Sequence, residues 1–337
     1  MRFLWQFRGL LVMGCLVMIF NPLKSANAES VEDIFRGKTI SVIIGAGEGG
    51  FYDLNGRLIA RFLRKHIPGS PLVVPQNMPG ASQLRATEHT FNIAPRDGTA
   101  LLVVQPYVIL NKLQNDALKF DIHKFTYIGR VAPIEMGGMV SASSSVRDIS
   151  EAKIRDVILG ANAANGPAAM LPWAINRLAG TRFKVALGYQ SQAAEELASE
   201  RGEIEGFGNG SFGEVHQQKK FRVLYVSGPN RIKSAPDAPT ILELVKPEDR
   251  PVMDIFARIS SVGLTLIAPP GVPPERAKIL QESFDKMIQD QEYQNGLGTI
   301  GFASDGMPGT KLKEFVGDHF SPPKSTINRL AAATAAQ

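Results

Sequence analysis

The chain has 337 residues, 44% of them hydrophobic, with one cysteine and a formal net charge of +5. A single cysteine excludes a disulfide framework and Cys-ligated zinc or iron–sulfur sites. The charge is modest and scattered, with no run of five or six basic residues, which argues against nucleic acid as a partner.

The first segment, "MRFLWQFRGLLVMGCLVMIFNPLKSANAES", carries Arg2 and Arg8, an apolar run from Leu10 to Phe20, and a small-x-small ending at Ala26-Asn27-Ala28. This is the pattern of an export signal cleaved after Ala28, and the run is short of the roughly 20 residues that a membrane span requires. Cys15 lies in a poor lipobox, since Val12-Met13-Gly14 precede it and apolar residues continue beyond it. Cleavage leaves 309 residues without cysteine and lowers the formal charge by the three cations Arg2, Arg8 and Lys24. No later apolar run is long enough to cross a bilayer. The expected product is a soluble secreted protein, and the expected architecture is an ordinary core arranged as two lobes.

Lys38–Ile44 reads as a buried strand, followed by a glycine-rich loop and a helix from about Asp53 to His66. Leu54, Leu58 and Phe62 fall on one face of that helix, with Arg57, Arg61, Arg64 and Lys65 turned away. "PLVVP" is a second strand, "QNMPGAS" a turn into a helix from about Gln83 to Ala94, and "ALLVVQ" a third strand. Strand and helix alternating over some 70 residues point to an α/β unit with a largely parallel sheet. The plan restarts at "IRDVILGANAANGPAAMLPWAINRLAG", which reads as strand, small-residue loop and helix. "FKVALGYQ" is a strand, "SQAAEELASERGEI" a short helix, and "EIEGFGNGS" and "FRVLYVSG" are strands. From Phe256 the text turns to a strand and a proline-led helix whose stripe is Ala277, Leu280, Phe284 and Met287. "AAATAAQ" reads as a frayed tail over 331–337.

Gly45, Gly47 and Gly50 match the dinucleotide fingerprint G-x-G-x-x-G. The match fails on chemistry. The second strand, "GSPLVVPQNMPG", offers no acidic residue for a ribose hydroxyl, and Phe51-Tyr52 are bulky where the helix must approach the sheet. What survives is a helix N-terminus with unpaired amides and a partial positive charge, suited to a small anion such as a carboxylate. Asp53 reads either as a helix-start residue or as an acceptor facing a ligand.

"NGSFG", Asn209 to Gly213, is one residue from the G-x-S-x-G nucleophile elbow, so a secreted serine hydrolase on Ser211 is an alternative. His66, His89, His123, His216 and His319 each fit surface positions, and no strand–elbow–helix context supports a triad. No spacing suggests a metal site, and no cofactor is expected.

Six stretches, in order, resemble the periplasmic solute-binding proteins of tripartite tricarboxylate transporters, the Bug-type receptors. They are "FRGKTISVIIG", "GEGGFYDLNGRLIARFL", "PLVVPQNMPGAS", "IAPRDGTALLV", "SAPDAPTILEL" and "LIAPPGVPPERAKILQESFDKMI", within about residues 35 to 320. The resemblance implies a type II periplasmic-binding-protein fold, two α/β lobes joined by two crossover strands, with no enzymatic activity. Lobe 1 would comprise 31–130 and 256–337, and lobe 2 would comprise 131–255. It further implies a small organic acid as ligand, held in the cleft largely by backbone amides, and the transporter's large and small membrane subunits as partners. The protein would be a monomer. A ligand-binding sensor partner of the same fold is an alternative.

Carried over by position, the first ligand loop is Ala46, Gly47, Glu48, Gly49, Gly50, Phe51, Tyr52 and Asp53. The facing loop supplies Asn162, Ala163, Ala164, Asn165, Gly166 and Ala168. Further wall positions are Gln105, Tyr189, Gln190, Ser191 and Asn209. The chain departs from the family at Phe51-Tyr52, at "AANGPAAMLP" and at Tyr189-Gln190-Ser191, where a lysine is missing. With Trp173, these departures suggest a less anionic and aromatic ligand. Glu48 within a carboxylate loop must point outward, or else the ligand carries a positive group.

Overall fold

The computed structural model describes residues 30–212 and 219–336; the export segment with its cleavage site, Gly213 and His216 lie outside them. Two separate sheets form. The first contains β1 (Thr39–Ile44), β2 (Leu72–Asn77), β3 (Ala100–Val104), β4 (Thr126–Ala132), β10 (Leu264–Ala268) and the short β11 (Met307–Pro308). Its order is β2-β1-β3-β10-β4-β11. The second contains β5 (Met136–Ser141), β6 (Val157–Ala161), β7 (Phe183–Leu187), β8 (Gly206–Ser211) and β9 (Phe221–Val226), in the order β7-β6-β8-β5-β9.

Each sheet has a parallel half and an antiparallel half. β1 runs parallel to β2 and β3, and β6 parallel to β7 and β8. β10 is antiparallel to β3 and β4, and β5 is antiparallel to β8 and β9. The chain passes from the first sheet to the second through Pro133–Glu135. It returns after β9 through a long loop and a helix, Arg250–Val262, that leads into β10. At that return Gly263 takes φ +59°, and a Cβ there would stand 2.0 Å from the Ala132 carbonyl oxygen, so the two crossings touch where only glycine fits.

Helix α1 (Phe51–His66) packs differently from its expected stripe. It buries Asn55, Gly56, Ile59, Phe62 and Leu63, whereas Leu54 is 44% exposed. The reason is a close approach: a Cβ on Gly56 would lie 2.5 Å from Ile44 Cδ1, so the glycine face, rather than the leucine face, meets the sheet. α1 shares its core with Ile40, Val42, Leu266, Phe284 and Met287. On the other side of the first sheet the core is continuous into the second lobe, joining Val104, Ile109 and Phe256 to Leu171, Ile175 and Tyr225.

The C-terminal helix, Lys324–Thr334, corrects the expectation of a frayed tail from 331. Leu330, Ala333 and Thr334 are buried. Arg177, in the helix Pro167–Ala179 of the second lobe, donates to the Ala333 carbonyl at 2.8 Å. Thr334 Oγ1 donates to Gln114 Oε1 at 2.7 Å, at the end of the first-lobe helix Val108–Gln114. Of the alanines that suggested a loose end, Ala333 is buried, while Ala331, Ala332, Ala335 and Ala336 are exposed.

Candidate functional site

The expected positions all lie at or just beyond strand ends. Loop 45–50 follows β1 and Gln105 follows β3; these strands are parallel, so both emerge on one rim of the first sheet. Residues 162–166 follow β6 and 188–191 follow β7, with Asn209 near the end of β8, on one rim of the second sheet. Ligands of open α/β sheets bind outside such carboxyl ends. The two rims meet: Asn209 Nδ2 donates to the Tyr107 hydroxyl at 2.7 Å. Tyr107 lies two residues past Gln105 and is 3% exposed, and Asn209 is 5% exposed.

In the first loop, Gly47 to Gly50 are exposed, and α1 begins at Phe51 behind Gly50, which provides no side-chain cap. The first-turn amides of α1 therefore have no intrahelical acceptor and face outward with the helix dipole behind them. Asp53 does not join them. Its carboxylate, almost wholly buried, accepts from the Gly49 amide and Asn77 Nδ2, both at 2.8 Å, and from Arg57 Nε at 3.0 Å. Asn77 Nδ2 also donates to the Ala46 carbonyl. Burial pushes the Asp53 carboxyl up, but hydrogen bonds from Arg57, Gly49 and Asn77 outweigh it and hold it below its usual range. Of the two readings of Asp53, its geometry is that of a brace that sets the loop. Glu48 is exposed, which spares the loop its charge.

Phe51 packs edge-on against Tyr52 and Phe302, each at 5.2 Å between ring centres, as part of the first lobe's apolar cluster. Tyr52 is half-buried, and burial, with Tyr107 adding to it, pushes its phenol up. Trp173 is 4% exposed and enclosed by Ala161, Ala168 and Ala169, so it supports the second lobe from within and presents no ring to a ligand.

In the second loop several groups are already engaged. Asn162 Oδ1 accepts from the Ala163 amide at 2.8 Å, and the Gly166 amide donates to the Ala163 carbonyl. Pro167 opens the following helix without an N–H, which leaves Ala168 as the first amide of that turn. Ala164 and Asn165 are exposed. Tyr189 lies over Gly160, Gln190 is exposed, and Ser191 caps the helix Gln192–Glu200 by accepting from the Ala194 amide. Below Tyr189, Glu195 is buried; burial, and then the charge of Glu196, push its carboxyl up to about 7.

Sequence reasoning missed Gln83, Asn77 and Tyr107. Gln83 Oε1 accepts from the Gln105 amide at 2.9 Å, and its side chain covers Gly45, where a Cβ would lie 2.7 Å from Gln83 Cβ. It is held there by an unusual backbone, with Ala81, Ser82 and Gln83 in succession at φ +48°, +52° and +70°. Each such residue costs about 1–2 kcal/mol. Asn77 lies inside the "PLVVPQNMPGAS" motif, and Tyr107 is two residues from an expected wall position; those were the available signals.

A cavity of about 400 Å³ adjoins the site between the lobes, lined by Pro133, Glu135, Ser211, Phe212, Phe302 and Asp305. Its acidic residues are Glu135 and Asp305, the latter 3.5 Å from Arg130 Nη2, and Phe302 in its wall packs against Phe51 of the first loop. Ser211 is part of β8, with its amide bonded to Gln192 Oε1 at 3.0 Å, and not the tip of an elbow. A serine nucleophile needs a strand–turn–helix context, and the residues directly after Phe212 lie outside those described.

No family model matches the chain. A UPF0065 protein of Bordetella bronchiseptica is 25% identical over 290 residues, covering 84% of this chain and 81% of the relative. A UPF0065 protein from the gbd 5' region of Cupriavidus necator is 24% identical over 326 residues, 93% and 94% of the two chains. Among solved structures, a TctC solute-binding protein from Polaromonas superposes with a TM-score of 0.64 at 20% identity, covering 87% of this chain and 98% of its own. MatC from Rhodopseudomonas palustris, with bound malate, gives 0.66 at 16% identity over 88% and 99%. An R. palustris protein with adipate gives 0.65 at 20% identity over 88% and 97%. The chain has the fold of the TctC- and Bug-type periplasmic solute-binding proteins, and its similarity to the two UPF0065 proteins extends over most of its length.

Proposed function

We propose that this chain is a periplasmic solute-binding protein that captures a small carboxylate-bearing organic acid and delivers it, chemically unchanged, to the large and small membrane subunits of a tripartite tricarboxylate-type transporter. The observation that carries the reading is the meeting of two strand-end rims at Tyr107 and Asn209, with uncapped helix starts at Phe51 and Pro167 beside it. Solved relatives of this fold hold malate and adipate, which are small carboxylates. In this reading the ligand carboxylate settles on the amides of 46–52, while the Asp53–Asn77 brace keeps them aimed. Residues 162–168 and 189–191 close over the ligand by rotation about the crossings near 133–135 and 263. The ligand's better contacts with the closed shape drive the rotation. The protein acts as a monomer, exported by the segment ending at Ala28.

The test is calorimetry and thermal shift on residues 29–337 against a panel of small mono-, di- and tricarboxylic acids. One-site, saturable binding with a rise in melting temperature is expected. Failure of every acid to bind, or ester hydrolysis abolished by Ser211→Ala, overturns the proposal.

A further inference from the structure

The rim that carries the first loop also holds a strained segment, and one of its side chains reaches the site. Ala81, Ser82 and Gln83 stand in succession at φ +48°, +52° and +70°, in the left-handed region that residues with a Cβ rarely adopt. Such strain persists only where the surroundings over-determine it, and it gathers at ligand clamps and active sites. Gln83 does not serve its own helix: it occupies the position before Leu84–Asn92, yet its side chain makes no cap bond there. The side chain turns instead across the carboxyl ends of β1 and β3. A Cβ on Gly45 would lie 2.7 Å from Gln83 Cβ and 2.9 Å from its Oε1, and Oε1 accepts from the Gln105 amide at 2.9 Å. Gly45 leads directly into the loop 46–50, and Gln105 is the expected wall position on the neighbouring strand.

The two ends of that carboxamide differ. A backbone N–H can only donate, so the atom facing the Gln105 amide must be the oxygen, and the group cannot be turned over. Nε2 shares its carbon with Oε1 and therefore stands beside the same two strand ends. It has no acceptor among the described residues, although Gln83 as a whole is only 4% exposed. Nε2 is not one of the sealed, unmatched atoms either, so that small exposure includes it. A nearly buried side chain whose free donor opens onto the rim leaves that donor to be met from outside. An anionic oxygen suits it best, because a hydrogen bond to an anion is roughly twice as strong as a neutral one.

We infer that Gln83 is a ligand-contacting residue whose Nε2 donates to a carboxylate oxygen of the acid held between the lobes. The inference rests on the solute-capture reading above and adds a side-chain donor to its main-chain amides.

Two variants separate contact from bracing. Gln83→Met keeps the length and loses the donor, whereas Gln83→Glu keeps an oxygen for the Gln105 amide and places a negative charge where the donor stood. Both face the same backbone strain as glutamine. Calorimetry on residues 29–337 with small mono-, di- and tricarboxylic acids, malate and adipate among them, compares the variants with wild type. For the acid that wild type binds most tightly, Gln83→Met is expected to weaken binding at least about tenfold, and Gln83→Glu at least as much. Bracing alone gives the reverse order, because Gln83→Glu preserves the brace. A smaller loss with Gln83→Met, or tighter binding by Gln83→Glu than by Gln83→Met, overturns the inference and leaves solute capture standing. Should Gln83→Met fail to fold, Gln83→Gly, which adopts φ +70° without strain, takes its place against the same threshold. If no acid binds the folded wild type, the capture reading fails and takes this inference with it.

Discussion

Replacing Asp53 with asparagine tests whether this residue braces the loop or meets the ligand. The carboxylate receives the Gly49 amide and Asn77 Nδ2 at 2.8 Å in a nearly sealed position. Hydrogen bonds to a charged group contribute about 1.5–3 kcal/mol each. Asparagine keeps one acceptor and turns an NH2 toward a donor, so a loss of about 2–4 kcal/mol is expected, with the exposed Arg57 contact adding little. For a chain of this size that corresponds to a melting temperature about 3–6 °C lower at pH 7. Asp53 is held below its usual range, so its contribution is complete above roughly pH 4, the unfolded value, and is lost as pH falls through the lower folded value. The gap between wild type and variant should therefore close on acidification below about pH 4. Differential scanning calorimetry across pH 3 to 8 reads both effects. A variant that melts within 1 °C of wild type at pH 7, with the same pH profile, refutes the brace.

Glu195 works in the opposite sense. Its folded pKa is raised to about 7 by burial and Glu196, so the native state loses stability as pH rises from about 4.3 through 7. Glu195→Gln should stabilise by on the order of 3 kcal/mol at pH 8 and little at pH 4, as measured by urea unfolding. Gly45→Ala places a methyl 2.7 Å from Gln83 Cβ and should cost about 1–3 kcal/mol. The same variant should weaken ligand binding in calorimetry by displacing the Gln83–Gln105 contact. Trp173→Ala should lower the denaturation midpoint by the equivalent of about 3–5 kcal/mol. Because the indole is enclosed by alanines, ligand affinity measured well below the melting temperature should be unchanged.

The elements legible in the sequence were those with strong local patterns. β1, β2 and β3 fall within a residue or two of "KTISVII", "PLVVP" and "ALLVVQ", because β-branched runs bounded by turn residues leave little choice. The face of α1 was not legible. The helix turns Gly56 to Ile44, and hydropathy alone cannot weigh closeness of approach against the burial of Leu54. The left-handed run at Ala81–Gln83 was hidden for a related reason. Nothing local favours it, and it is held by contacts to Gly45 and Gln105 from elsewhere in the chain. For the site, the glycine loop stood out as an anion cradle, but which carboxylate faced inward did not. Asp53 and Glu48 are five residues apart, and Asp53 is set apart by its contacts with Gly49, Arg57 and the distant Asn77, of which the last has no local signal. Trp173 misled because a large aromatic after a small-residue loop fits a wall as well as a core.

The C-terminal helix is fastened to Arg177 on one half and to Gln114 on the other. Any swing of one half against the other must therefore either stretch those attachments or turn about them, so the far end of the polypeptide serves as the pin of the jaw. Cutting the chain after Pro323 would free the jaw from that pin. The same placement makes this end a poor point of attachment for any added handle meant to leave the motion undisturbed.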